Sequence, residues 1–289
     1  MLTRLIASLL GQKTAWRLGR GLYMQARGDV ANNIRSNGEL MVQRSVLGGW
    51  RTRAAAAERL VVFDVGANVG DWSACLRDEI RDPRERSLLL LHLFEPVPHT
   101  FERLRGRLAN SGAGIDLRFN PLALSSAEGA EKMYVRGFDG SNSIHPDTNE
   151  GETQSIDISR VTATRFCADH GIGRIHLLKC DTEGHDMEVV AGALPLLRTG
   201  AIRVLQFEYN YRWIFSRHYL KDVFDAVEGL PYRIGRIHPD HVDLYSCWHP
   251  EMERFFEANY LIVHDSALPW FQTREVVPDR YNTLAQGPE

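Results

Sequence analysis

The chain has 289 residues, 44% of them apolar and 25% charged, with a formal net charge of −3. That length suits one large α/β domain with a small added element rather than two equal domains. The balance is that of an ordinary globular protein and excludes a disordered class.

The charge is unevenly spread. Residues 1–59 carry ten Lys and Arg against three Asp and Glu, a segment charge of +7 that leaves −10 for residues 60–289. No aromatic-basic interleaving accompanies the excess, so nucleic acid is not the expected partner. An anionic substrate, a peripheral membrane contact or a solvated helical face fits it. Leu2, Leu5, Ile6, Leu9 and Leu10 fall at helical spacing, but the apolar run is too short for a transmembrane segment and no convincing cleavage site follows. Asn32, Asn33, Asn37 and Gly38 interrupt the pattern before a helix resumes over residues 41–50. Residues 1–59 read as a helical extension, either a lid over a site in the next domain or a helix packed on its sheet. Cys75, Cys167, Cys180 and Cys247 lack Cys-x-x-Cys spacing and read as reduced thiols of a soluble, cytoplasmic protein.

The main unit starts at Leu60. Leu60-Val61-Val62-Phe63 predicts a short strand buried on both faces, as in a parallel sheet. Asp64 ends it, and Gly66 and Gly70, with Asn68 between them, carry a tight turn into a helix from Trp72. Such a turn brings backbone N–H groups close to a ligand. The acid at the strand tip would repel a pyrophosphate; it suits a ligand presenting an amine or ribose hydroxyls, as S-adenosylmethionine does. A nicotinamide dinucleotide wants Gly-x-Gly-x-x-Gly, and here position 68 is Asn.

A second buried strand over residues 88–94 ends at Glu95-Pro96, and a helix follows over 99–108. Glu95 stands where an acid accepts hydrogen bonds from ribose hydroxyls in nucleotide-binding sheets. Residues 115–119 form a third strand running into Ala123-Leu124-Ser125. A polar section follows, with part of an edge hairpin at 132–135 and a loop at 140–143. After a helix over 165–171 comes Leu177-Leu178-Lys179-Cys180-Asp181-Thr182-Glu183-Gly184-His185-Asp186: a buried strand that again delivers acids and a glycine before a helix. Strands at 202–208, 232–237 and 259–263, with a helix over 219–230, complete seven strands alternating with helices, a doubly wound sheet. Four strands end in Asp64, Glu95, Asp181 and Glu208, which collect along one edge if the strands run parallel. Tyr209, Tyr211, Trp213 and Phe215 follow the last of these, as a sugar-stacking surface or as core. His238, His241 and His249, with Asp240 and Asp243, show no regular ligand spacing and read as a polar surface or substrate-facing loop.

With these strands laid out, the chain resembles the FkbM family of S-adenosylmethionine-dependent methyltransferases. The likeness rests on Phe63-Asp64-Val65-Gly66-Ala67-Asn68-Val69-Gly70, Phe94-Glu95-Pro96-Val97-Pro98, Ala123-Leu124-Ser125 and residues 177–184, and covers about residues 60–265. It implies a Rossmann-like class I methyltransferase fold: a seven-stranded, mostly parallel sheet, the last strand antiparallel, with helices on both faces. The domain then spans 60–270, followed by a tail over 271–289. The resemblance also implies O-methylation of a hydroxyl on a sugar, glycolipid or natural product. Carried over by position, Asp64, Gly66, Asn68 and Gly70 line the methionine end of the cofactor, Glu95 holds the ribose, and Ala123, Leu124 and Ser125 lie near the adenine.

A sugar hydroxyl needs partial deprotonation by a base or a metal. Asp181, Glu183 and His185 are the catalytic candidates, with Glu183 or His185 as the base. Alternatively, Asp181 and Glu208 bind Mg²⁺, a reading drawn from resemblance to metal-dependent O-methyltransferases. Two other function classes are a non-catalytic methyltransferase-like assembly subunit and a nicotinamide-dependent oxidoreductase.

Overall fold

The strand at residue 60 lies at the centre of the molecule. A computed structural model describes residues 8–53, 58–109, 114–135, 142–145 and 154–284. Two helices precede that strand, α1 (Gln12–Ala26) and α2 (Glu39–Arg53). Then come β1 (Leu60–Val65), α3 (Asp71–Glu79), α4 (Pro83–Leu88), β2 (Leu89–Phe94), α5 (Pro98–Leu108) and β3 (Asp116–Asn120). The middle of the chain holds β4 (Ala123–Leu124), β5 (Gly129–Val135), β6 (Gln154–Val161), α6 (Ala163–His170), β7 (Ile175–Cys180), α7 (Asp186–Arg198) and β8 (Ile202–Tyr209). The last part runs through α8 (Trp213–Ser216), α9 (Leu220–Val227), β9 (Tyr232–Ile237), β10 (Val242–Tyr245), β11 (Ala258–His264) and β12 (Thr273–Val276).

The central sheet has the order β12-β10-β9-β11-β8-β7-β1-β2-β3. The run from β8 to β3 is parallel, and β11 lies antiparallel between β8 and β9. Seven strands and the antiparallel one are therefore as expected, but the sheet has nine. β10 and β12 extend it beyond β9. Both were hidden for a physical reason: β10 sits in a stretch rich in His and Asp, and β12, within the segment read as a tail, has no apolar alternation.

Alternate side chains of β1 serve opposite faces, as strand pleating requires. Leu60 and Val62 join a core with Val46 and Leu47 of α2, Leu76 of α3 and Leu104 of α5. Phe63 and Val65 join another with Phe166 of α6, Val190 of α7 and Val223 of α9. α2 is thus packed on the sheet, whereas α1 buries none of its residues. In the section from 123 to 161, residues 132–135 do form part of an edge strand paired antiparallel with the next one, but β5 and β6 lie in a separate sheet ordered β4-β6-β5. Residues 140 and 141 of the expected loop lie outside the described residues.

Strand order reverses about β1: β2 and β3 lie on one side of it, β7 and β8 on the other. Such a switch point opens a crevice at the carboxyl ends of the strands. Register makes the tips level there, since Val65 pairs with both Phe94 and Cys180.

Candidate active site

The glycine turn forms the floor of this crevice. Gly66 has φ +74°, and a Cβ there would lie 2.0 Å from the Asp181 carbonyl oxygen, so only glycine fits between the two strand tips. Asn68, also at positive φ (48°), donates its N–H to Glu95 Oε2 at 3.0 Å. Gly70, at φ +84°, is the N-cap of α3 and faces Leu104 and Leu108 of α5. Val97 N–H donates to the other Glu95 oxygen at 2.9 Å. Burial pushes the Glu95 carboxyl up to about 7 against the pull of those two N–H groups. A carboxylate retains further lone pairs after two such bonds, so paired hydroxyls can still be accepted. Among the described residues, Asn68 Oδ1 is buried without a hydrogen-bond partner, which calls for a donor from a ligand.

Beneath the turn lies a buried charge network. Asp64 is fully buried, accepts from the Ser73 hydroxyl at 2.6 Å and sits 3.4 Å from the Lys179 ammonium. Lys179 also reaches Asp181, at 3.5 Å. Burial works against that ammonium, but Asp181, Asp64 and Glu39 outweigh it and keep it protonated. Glu39, at the start of α2, accepts from Gln206 of β8 at 2.6 Å and from Asn37 at 2.9 Å. Asp64 is therefore a support beneath the cavity floor and not part of its lining. The sequence reading missed Lys179, Glu39 and Gln206. The available signal was Lys179 itself, a charge within a strand buried on both faces, which requires partners.

A cavity runs along the strand tips. It is lined by Gly66, Asn68, Glu95 and Thr100, by Leu122, Ala123, Leu124, Met133 and Ile144, and by Asp181, Thr182, Glu183 and His185. Met133 and Ile144 belong to the small sheet and the segment packed against it, which thus roofs the side assigned to the adenine. Gly70 and Ser125 stand one layer behind the lining.

After Asp181 in the chain, Glu183 has φ +57° and pairs with Arg212 at 2.7 Å. Burial, then the charge of Asp181, pushes its carboxyl up to about 8. His185 is buried with both ring nitrogens engaged, Nε2 with Ser125 Oγ at 3.0 Å and Nδ1 with His145 at 3.2 Å. Desolvation, then His145, pushes it down to about 3, so it is neutral near pH 7. Glu208 does not line the cavity. It accepts from Asn210 at 2.6 Å and from Asn32 at 3.3 Å, and burial followed by the charges of Asp181, Glu183 and Asp186 raises its carboxyl well above the usual range. Of the aromatics after it, Tyr209 and Trp213 are core, while Tyr211 is exposed.

A parallel sheet with this strand order, a glycine turn at its switch point and an acid on the next strand tip define a Rossmann-like methyltransferase. The family model "Methyltransferase FkbM domain" matches residues 64–234. The chain belongs to that family. Membership displaces the nicotinamide alternative. Among curated proteins it is similar to the hexuronic acid methyltransferase AglP of Haloferax volcanii, 28% identical over 145 residues. That match covers 50% of this chain and spans only about half, 54%, of the relative. Among solved structures, the bifunctional kinase-methyltransferase WbdD gives a TM-score of 0.43 at 12% identity, covering 84% of this chain and 42% of that one. Magnesium protoporphyrin IX methyltransferase ChlM from Synechocystis PCC 6803 with bound SAM gives 0.39 at 14%, covering 85% and 91%.

Proposed function

We propose that the protein transfers a methyl group from S-adenosylmethionine to a hydroxyl of a saccharide acceptor. The observation that carries this reading is a single cavity lined both by the glycine turn with Glu95 and by Asp181 with Glu183. The similarity to a hexuronic acid methyltransferase favours a sugar over a glycolipid aglycone or another natural product.

Bound S-adenosylmethionine supplies an activated methyl on a sulfonium. The chain's task is to hold an oxygen in line with it and exclude water. Glu95 accepts the ribose hydroxyls, Asn68 accepts a donor from the ligand, and Ala123 and Leu124 face the adenine. Asp181, beside Lys179, supplies the negative field at the methionine end. Glu183 takes the acceptor proton, since a carboxyl held near 8 is a stronger base than an ordinary one. His185, tied at both nitrogens, shapes the wall and positions Ser125.

The Mg²⁺ reading fits the geometry less well. Both Glu208 oxygens are engaged by amides and Asp181 faces an ammonium. Among the described residues, the grouping of three potential ligands lies elsewhere, at His238, His241 and Asp243. Two further features bear on setting. α1 exposes Trp16 and Leu22 beside Lys13, Arg17 and Arg20, the pattern of an interfacial helix, which supports peripheral contact with an anionic bilayer. No helix among the described residues is long and apolar enough to cross a membrane. The four cysteines are unpaired, which supports a reducing, cytoplasmic compartment.

The test is incubation of the protein with S-adenosylmethionine and a panel of nucleotide-linked, lipid-linked and free sugars, including uronic acids, read by mass spectrometry. Methylation at a sugar oxygen is expected, and its persistence in excess chelator is expected too. Methyl transfer confined to non-saccharide acceptors would overturn the reading.

A further inference from the structure

β9 and β10 are joined by the two-residue turn Pro239-Asp240, closed by the His238 N–H donating to the His241 carbonyl at 2.9 Å. The turn sets His238 and His241 opposite each other, their rings parallel within 5° and 4.7 Å apart. Asp243, on β10, lies two residues beyond His241, which immediately precedes that strand, and its carboxylate reaches both rings. All three are buried, with 6–7% of their surface exposed. His238 Nε2 lies 3.0 Å from one Asp243 oxygen, and His241 Nε2 lies 3.1 Å from the other. This corrects the polar-loop reading: the buried turn and the start of β10 gather three potential ligands that the spacing His-x-x-His-x-Asp alone did not reveal.

Two details separate this cluster from an ordinary set of hydrogen bonds. First, Asp240 Oδ1 lies 2.6 Å from His241 Nδ1. With a proton on Nδ1 meeting that contact, Nε2 is able to offer its lone pair to a cation shared with Asp243. A carboxylate on the far nitrogen is also the usual companion of a metal-bound imidazole. Second, His238 Nε2 and Asp243 Oδ1 are buried without an aligned hydrogen bond, although each lies within ion-pair reach of a neighbour. Atoms at that spacing but off hydrogen-bond direction suit ligands converging on a shared cation.

We propose that His238, His241 and Asp243 bind a zinc-class divalent transition metal, with Asp240 orienting His241 from behind. Two imidazoles and one carboxylate suit Zn²⁺ or Co²⁺ rather than the all-oxygen shells of Mg²⁺ and Ca²⁺. The site is structural, since none of the three residues lines the methyl-transfer cavity. It would brace the turn beneath the chain between α1 and α2. Gly28 and Gly38 there approach His238 so closely that a Cβ would come within 3.1 Å of its ring and 2.3 Å of its carbonyl oxygen. Arg236 anchors the same segment through Asp29 and the Arg27 carbonyl.

The test takes the full chain, stripped with chelator, and titrates it with Zn²⁺ by calorimetry and with Co²⁺ by visible absorption. One equivalent of each is expected, with Co²⁺ bands of protein-bound metal that one equivalent of Zn²⁺ abolishes. His241→Ala and Asp243→Asn should lose the site, and Asp240→Asn should weaken it by about 10–100-fold. If the His241 or Asp243 variants fail to fold, the Co²⁺ spectrum of the unaltered protein decides. A spectrum of free aqueous Co²⁺ with no Zn²⁺ heat would overturn the proposal. Binding undiminished in the well-folded His241→Ala protein would overturn it as well.

Discussion

Lys179 carries more of this site than its single contact distances suggest. It stands between Asp64 and Asp181, so it couples the turn after β1 to the tip of β7. Removing one partner from a buried ion pair strands the other, at a cost of about 3–5 kcal/mol. Lys179→Met is therefore expected to lower stability by about that amount in urea unfolding, and adding Asp64→Asn should recover part of the loss. Glu95 makes a pH prediction with a definite sign. Its carboxyl is raised from 4.5 to about 7 in the folded chain, so folding takes up a proton between those values. This group's contribution to stability is full below about 4.5 and is lost as pH rises through about 7. Cofactor binding needs the ionised form and moves the other way, weakening by up to about tenfold per pH unit below about 7. Glu95→Gln should flatten both trends. Glu183 predicts a kcat that climbs with pH to a plateau above about 8, and Glu183→Gln should lose that limb and about 10²–10⁴ in kcat while still binding cofactor.

At the scale of elements, the two N-terminal helices behave as opposites. Leu47 of α2 is 1% exposed and packs with the sheet, so Leu47→Ala is expected to cost about 2–5 kcal/mol in chemical unfolding. Leu22 of α1 is 68% exposed, and Leu22→Ala should change stability by less than about 0.5 kcal/mol. It should instead reduce pelleting with anionic lipid vesicles, and unchanged pelleting would contradict the membrane contact. The same contrast explains what could be read from the chain. β1, β2 and β7 are continuous apolar runs closed by an acid, and their length, direction and tips follow from that pattern. The small sheet did not, because β5 and β6 alternate weakly and pair with each other away from the main sheet. β12 was hidden because an edge strand needs little apolar sequence, and β10 because it is only four residues long beside a stretch rich in His and Asp. Glu95, Gly66 and Asn68 were legible since a turn between buried strands constrains residue type. Glu39 and Gln206 were not, because their pairing spans 167 positions and only the packed fold brings them together.

Over the whole molecule, the acids at the strand tips divide into layers. Asp64 and Glu208 are held from behind by Ser73, Lys179 and amide side chains, while Glu95, Asp181 and Glu183 line the cavity. The buried layer fixes the tips, and the lining layer gives them a field suited to a cationic methyl donor with ribose hydroxyls. The most direct test is calorimetric titration of the purified protein and of Glu95→Gln with S-adenosylhomocysteine and with NAD. The arrangement predicts one equivalent of S-adenosylhomocysteine on the unaltered protein, at least tenfold weaker binding (about 1.4 kcal/mol) in the variant, and no heat with NAD. Equal affinity in both proteins, or tight binding of NAD alone, would contradict it.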